Sequence, residues 1–135
     1  MATVGVRYIV DDVDAALEFY TGRLGFDEVM HPAPTFAMVS RGDLRLALSA
    51  PSSRGGGGQV LADGSVPTPG GWNRIQLEVD DVRALAEELR NSGATLRSDV
   101  VEGVGGDQLI VEDPAGNPVE LFQPTVDQAR LQRGT

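Results

Sequence analysis

The tetrapeptide Val-Asp-Asp-Val occurs twice in this chain, and the residues around the two copies follow the same order of patterns. The copy at 10–13 follows an apolar run and precedes DAALEFYTGRLGF, in which apolar residues recur at helical spacing. The copy at 79–82 ends the alternating run RIQLEV and precedes VRALAEELRNSG, a second helical pattern. Each copy therefore predicts a strand, a helix N-cap and a helix, in that order.

The repeat extends well beyond the tetrapeptide. Asp12 and Asp81 occupy the N-cap positions, and Gly25 and Gly93 stand where the two helices are expected to end. Further along, SRGDLRLALSAP in the first half aligns with DPAGNPVELFQP in the second, each being a turn, a strand and a final proline. Because the offset between the halves changes by only a few residues over this length, we interpret the repeat as an internal duplication.

Each half also contains further strand patterns, which are FDEVMHP and TFAMVSR in the first and ATLRSDVVEG and GDQLIVEDP in the second. The pattern predicts two βαβββ modules with hairpin turns at RGD and DPAGN. A chain of 135 residues is too short for two independent domains, so we expect one α+β domain whose modules share a core. We place module one at about 4–51, a glycine- and proline-rich linker at 52–71, module two at 72–124 and a C-terminal tail at 125–135.

The composition is typical of a globular protein with an acidic surface. Hydrophobic residues make up 41% and charged residues 23%, which does not match a disordered chain. The formal net charge of −9 disfavours nucleic acid and anionic membranes and favours neutral or cationic partners. There is no cysteine, no apolar stretch of membrane-spanning length and no signal-like pattern in MATVGVRYIV, so we expect a cytoplasmic protein.

The two modules, the V-x-D openings, the FY of the first helix, the LGF that follows it and the DPAGNPVELFQP hairpin resemble the vicinal oxygen chelate superfamily. This superfamily includes glyoxalases, extradiol dioxygenases, fosfomycin-resistance proteins and bleomycin-binding proteins. The resemblance covers about 4–124 and implies two curved sheets that face a shared, ligand-holding cleft, and a homodimer. It indicates the fold and not one activity.

In metal-using relatives, the ligands come from the first and last strands of each module. The resemblance places these positions at Gly5, Ala47, Arg74 and Glu120. Only Glu120 is a competent ligand, because glycine and alanine have no side-chain donor and an arginine repels a divalent cation. The single histidine, His31, lies in another strand or its following turn. We therefore expect no metal and no other cofactor, with a differently aligned metal site as the alternative.

Residues two apart in a strand share a face, and this extends the candidate site beyond those four positions. We expect Arg74 and Glu120 to pair and to orient a ligand carboxylate, phenolate or amide. An ion pair that only rigidifies the sheet is the alternative. Trp72 precedes the first strand of module two and is expected to stack on a flat ligand, or to lie in the core or a dimer contact. The candidate ligand-binding residues are Arg7, Arg45, Arg74, Gln76, Glu120, Phe122, Phe36, Met38 and Trp72.

Two classes of function remain open. The first is a metal-independent protein that binds a small organic molecule, for antibiotic or metabolite sequestration, as the bleomycin-binding relatives do. The second is an enzyme, such as a lyase, isomerase, cyclase or dioxygenase-like protein, that uses Glu120 or His31 for proton transfer. A neighbouring arginine weakens Glu120 as a base, and a His31 exposed beside the HPAP turn needs no catalytic role.

Overall fold

The computed structural model describes residues 4–52 and 57–131. In the first module, strand β1 (Val4–Ile9) leads into helix α1 (Val13–Arg23), followed by β2 (Asp27–Ala33), β3 (Phe36–Arg41) and β4 (Leu44–Ser49). In the second, β5 (Ile75–Glu78) leads into α2 (Val82–Asn91), followed by β6 (Thr95–Leu96), β7 (Val101–Glu102), β8 (Gly106–Glu112) and β9 (Pro118–Pro124). A short 3-10 helix follows at Asp127–Ala129. The predicted α+β class and its βαβββ modules are confirmed.

The described chain divides into two compact units. The first unit contains the described residues up to Gly71 together with Asp113–Asn117, and the second contains Trp72–Glu112 and the described residues from Pro118 onward. The described part of the predicted linker, 57–71, contains no helix or strand, whereas 53–56 lie outside the described residues. The expected single domain, with a cleft shared by the two modules, stays a prediction.

Each module forms its own sheet. The strand order is β1-β4-β3-β2 in the first unit and β5-β9-β8-β6 in the second, where β7 also pairs with β8. In both sheets the first and last strands of the module run parallel and adjacent, and the other neighbours are antiparallel. The register of β5 and β9 places Gln76 opposite Glu120 and Glu78 opposite Phe122. Side chains that are distant in sequence are thereby brought together on one face of the second sheet.

The helix ends are those predicted from the sequence. The Asp12 carboxylate accepts the Ala15 backbone N–H at 3.1 Å, and the Asp81 carboxylate accepts the Ala84 backbone N–H at 3.0 Å. Beyond the helix ends, Gly25 and Gly93 have φ values of 74° and 86°, a region that costs other residues energy. Neither helix is long and apolar enough to cross a membrane, and these are the two α-helices of the described residues.

One face of each sheet is apolar and buried. In the first unit the core includes Leu46 and Leu48 of β4, and in the second it includes Leu109 of β8 and Leu121 of β9, all with no exposed surface. Because side chains alternate along a strand, the residues between them point to the opposite face. The candidate site residues of β5 and β9 lie on that opposite face.

A buried polar network holds the DPAGN turn within the first unit. The Tyr20 hydroxyl donates a hydrogen bond of 2.8 Å to Asp113 Oδ2, and the Asn117 side chain donates to the Ile9 carbonyl at 2.7 Å. The Asn117 side chain also donates to Asp113 Oδ2 at 3.0 Å. Burial raises the pKa of Asp113 despite its hydrogen bonds from Asn117 and Tyr20, and burial next to Asp113 raises the pKa of Tyr20 well above its ordinary value. The turn is therefore fixed by side chains of α1 and by the backbone at the end of β1.

The single strand expected from ATLRSDVVEG is wrong. Leu96 pairs with Val111 and Val101 pairs with Gln108, so that the four residues 97–100 lie opposite the two residues 109–110. The Arg97 backbone N–H still donates to the Ile110 carbonyl at 2.7 Å, and the ladder is interrupted after it because one side is longer by two residues. The segment forms the short strands β6 and β7 instead of one continuous strand.

Candidate functional site

Glu120 lies in β9, and its carboxylate contacts two polar side chains of the second unit. Oε1 accepts a hydrogen bond from Arg74 Nε at 3.0 Å and lies 2.9 Å from Arg74 Nη2. Oε2 accepts a hydrogen bond from Gln76 Nε2 at 2.7 Å. The Glu120 side chain is 9% exposed and that of Arg74 is 27% exposed. The predicted Arg74–Glu120 pair is present, and Gln76 is its third member.

The local sequence explains why this cluster forms. Gln76 lies opposite Glu120 in the parallel register of β5 and β9, and Arg74 precedes Gln76 by two positions. Their neighbours Leu77 and Leu121 alternate with them and are buried on the other face. A one-residue shift in register would move the polar residues into the apolar core, which strongly disfavours any other pairing.

Trp72 is largely exposed, with 71% of its surface accessible, and this excludes the core position that the sequence left open. The Arg97 guanidinium lies over the indole at 4.8 Å from the ring centroid, within the range of a cation–π contact. Arg97 Nε in turn donates to Glu112 at 2.8 Å. Stacking on a flat ligand and contact with a second subunit both stay open for Trp72.

Arg97 and Glu112 were not predicted as site residues from the sequence. In β8, Ile110 lies opposite Glu120, and Glu112 follows Ile110 by two positions, so Glu112 shares the face of Glu120. Alternation along β8 could have indicated Glu112. Arg97 lies in the irregular segment between β6 and β7, where alternation gives no usable signal.

Phe122 is on the predicted face but is only 9% exposed. Its ring lies close to Gly106, where a Cβ atom would be 2.8 Å from two ring carbons. Opposite Phe122, Glu78 Oε1 accepts the Leu131 backbone N–H at 2.8 Å, so the tail contacts this end of the face. Little of the Phe122 ring is therefore accessible to a ligand within the second unit.

The first-unit candidates lie on the face of the first sheet opposite its core. Arg7 of β1 and Met38 of β3 both lie opposite Ala47 of β4. Arg45 Nη1 lies 3.9 Å from Met38 Sδ. Phe36 begins β3 on the same face. A side chain at Gly57 would overlap the Arg7 guanidinium, which shows that linker backbone packs directly against this arginine.

His31 lies in β2 and faces helix α1. Its Nε2 is 3.5 Å from Asp14 Oδ1, and Asp14 belongs to the first turn of that helix. The imidazole is partly buried. The carboxylate partner of His31 is thus an exposed helix residue.

The residues at the metal positions that the sequence resemblance implies do not fit a divalent cation. Gly5 and Ala47 have no donor, and Arg74 is itself a cation. Both oxygens of Glu120 already accept hydrogen bonds. Within residues 4–52 and 57–131, there is no group of three or more His, Cys, Asp or Glu side chains that could hold a metal ion.

Comparison with known proteins agrees with this fold. The family model described as Glyoxalase/Bleomycin resistance protein/Dioxygenase superfamily matches residues 3–121. A comparison with curated proteins gives no match. The bleomycin-binding protein from bleomycin-producing Streptomyces verticillus, solved in complex with copper(II)-bleomycin, is 30% identical with a TM-score of 0.58, and the match covers 91% of this chain and 95% of that chain.

Two further solved structures share the fold. A member of the glyoxalase/bleomycin resistance protein/dioxygenase superfamily from Sphaerobacter thermophilus DSM 20745 is 28% identical with a TM-score of 0.71, and the match covers 91% of this chain and 98% of that chain. Lactoylglutathione lyase from Agrobacterium tumefaciens is 22% identical with a TM-score of 0.68, and the match covers 90% of this chain and 92% of that chain. The resemblance noted in the sequence is confirmed, and the chain belongs to the Glyoxalase/Bleomycin resistance protein/Dioxygenase superfamily.

Proposed function

We propose that this protein binds and sequesters a small organic molecule without a metal ion, and that Arg74, Gln76 and Glu120 orient the ligand. The observation that carries the proposal is the bonding of Glu120, whose two oxygens are held by Arg74 and Gln76 at 2.7–3.0 Å. A carboxylate in this state is a poor ligand for a cation, since binding would require breaking these hydrogen bonds next to a fixed positive charge.

The chemistry of the cluster suits a neutral polar group on the ligand. The charges of Arg74 and Glu120 compensate each other, and the chain as a whole carries −9, which disfavours an anionic ligand at long range. The remaining N–H groups of Arg74 and the amide of Gln76 supply directional hydrogen bonds. Arg7, Arg45, Phe36 and Met38 are proposed as ligand contacts on the face of the first sheet, whereas Phe122, at 9% exposed, offers a ligand little surface.

The relatives support binding as a function that this fold performs. The Streptomyces verticillus relative is a bleomycin-binding protein, and at 30% identity it supports the sequestration of an antibiotic or metabolite here. Proton transfer by Glu120 or His31 is the competing function. The contacts of Glu120 with Arg74 and Gln76 and of His31 with Asp14 favour binding, because both groups are engaged in structural interactions.

The experiment has three measurements on protein purified without chelator. Elemental analysis is expected to find no stoichiometric zinc, iron, nickel, manganese or copper. Isothermal titration calorimetry with a panel of aromatic antibiotics, including metal-free bleomycin and copper(II)-bleomycin, is expected to show saturable binding by at least one compound. Mass spectrometry after prolonged incubation is expected to recover that compound unchanged.

The matched variants are Glu120→Ala and Glu87→Ala, since Glu87 is an exposed residue of α2. Glu120→Ala is expected to weaken binding, whereas Glu87→Ala leaves it unchanged. Stoichiometric metal that is lost in Glu120→Ala overturns metal independence. Time-dependent product formation rejects sequestration in favour of catalysis, and the absence of binding across the panel rejects the proposed binding function.

We also propose that the protein is a cytoplasmic homodimer. The dimer is proposed from the resemblance to the superfamily. The cytoplasmic location is proposed because the sequence contains no cysteine. Sedimentation velocity at several concentrations measures the dimer directly, and a monomer at high concentration would reject it.

A further inference from the structure

We propose that Trp72, Arg74 and Gln76 form a subsite for a planar aromatic carboxamide. In this arrangement the ring stacks on the indole, the carbonyl accepts from Arg74 and the amide N–H donates to Gln76. The inference rests on the proposed binding function and names the chemical class of its ligand.

The indole of Trp72 supplies the stacking surface. Arg97 covers the ring at 4.8 Å from its centroid, and Arg97 is itself held by Glu112 at 2.8 Å. Since 71% of Trp72 is still exposed, the ring is backed by an ordered cation and offers accessible aromatic surface. An indole in this state favours a second planar ring, because stacking buries apolar area and adds a quadrupole attraction.

Arg74 supplies the donors. A guanidinium has five N–H groups, and the described partners of Arg74 engage one at each nitrogen, through Glu120 for Nε and Nη2 and through the Trp72 carbonyl at 3.2 Å for Nη1. One N–H of Nη1 and one N–H of Nη2 therefore have no hydrogen-bond partner among the described residues. The Nη1 contact also places these donors next to the residue that carries the indole.

Gln76 supplies the acceptor. A carboxylate only accepts hydrogen bonds, so the contact of 2.7 Å with Glu120 requires the amide nitrogen of Gln76 to face Glu120. The amide oxygen of Gln76 is then left as an acceptor, with no hydrogen-bond partner among residues 4–52 and 57–131, and the residue is exposed. Donors on Arg74 and an acceptor on Gln76 match the carbonyl and N–H of one amide.

The experiment uses 2-naphthamide, 2-acetylnaphthalene, which lacks the N–H, and 2-naphthoate, which replaces it with a charged oxygen. The single tryptophan gives one indole N–H cross-peak in a 1H–15N correlation spectrum, and 2-naphthamide is expected to shift it saturably. We expect 2-naphthamide to bind about fivefold more tightly than 2-acetylnaphthalene, which corresponds to one net hydrogen bond. This comparison uses the unmodified protein and needs no variant to fold.

Three variants locate the contacts. Trp72→Leu is expected to weaken the binding of 2-naphthamide about tenfold, because the ligand loses its stacking contact and buries less apolar area. Gln76→Met is expected to remove the preference for 2-naphthamide over 2-acetylnaphthalene. Arg90→Met, which removes an exposed arginine of α2, is the control and is expected to change neither value.

Four results would overturn the inference. The first two are an indole peak that 2-naphthamide does not move and tighter binding of 2-naphthoate than of 2-naphthamide. The third is a Gln76→Met variant that keeps the preference for 2-naphthamide over 2-acetylnaphthalene. The fourth is conversion of a dimer to a monomer by Trp72→Leu, which would make the indole a subunit contact. If compounds of the antibiotic panel bind while 2-naphthamide does not, the carboxamide class is wrong and the proposed binding function stands. If the whole panel also fails to bind, the binding function itself is wrong.

Discussion

Replacing Arg74 with methionine tests whether the ion pair determines the state of Glu120. Methionine keeps much of the aliphatic length but removes every donor, so Oε1 of Glu120 loses its contacts at 2.9 and 3.0 Å while Oε2 keeps Gln76. Removing one partner of a fully buried ion pair costs about 3–5 kcal/mol. Because Arg74 is 27% exposed, water can reach the space that it leaves, and we expect a loss of about 2 kcal/mol in the free energy of unfolding.

Glu120→Gln is the matched substitution, since it removes the charge and keeps the shape and one acceptor. Arg74 then loses its counter-charge but can keep a neutral acceptor and is partly hydrated, so we expect a loss of about 1 kcal/mol. The double variant is expected to be at least as stable as Arg74→Met alone, because it contains no unpaired buried carboxylate. This order of stabilities follows from the greater burial of Glu120, at 9% exposed, compared with Arg74.

Urea unfolding followed by circular dichroism measures these differences. With a denaturant dependence of about 2 kcal/mol per molar urea, Arg74→Met lowers the midpoint by about 1 M and Glu120→Gln by about half as much. Strictly additive losses in the double variant would refute the reasoning, because paired groups must show coupling. A larger loss for Glu120→Gln than for Arg74→Met would refute it as well.

Three further predictions concern the fold. Burial raises the pKa of Asp113 above its usual value of 3.8, so ionisation of this group in the folded protein costs stability as the pH rises between these two pKa values. In urea unfolding, the wild type is therefore expected to gain stability relative to Asp113→Asn when the pH is lowered from about 7 to about 4. Asp81→Ala removes the N-cap of α2 and is expected to cost about 1 kcal/mol by the same assay, whereas Asp80→Ala, one residue earlier, costs little. Gly57→Ala is expected to destabilise the protein more than Gly22→Ala, because Gly57 has a φ of 86°, which alanine adopts only at an energetic cost, while Gly22 lies in α1, where alanine is favoured; equal effects would contradict this reasoning.

The candidate site was predictable where it depends on regular strands. Alternation along RIQLEV and along the last strand put Gln76 and Glu120 on one face, and the parallel register then paired them directly. The same reasoning failed at ATLRSDVVEG, because an inserted bulge changes which residues face each side. Arg97 lies in this irregular segment, and so its contact with Trp72 could not be derived from periodicity.

The sequence by itself determined the fold class, the two modules, the helix caps and the polar character of the face around Glu120, because these depend on local propensity and on the two-residue period of strands. Tertiary structure decided the exposure of Trp72, the near-burial of Phe122 and the position of His31 beside α1. These three outcomes depend on contacts between residues far apart in the chain, which sequence periodicity does not encode. Strand register and packing supply those contacts only after the chain has folded.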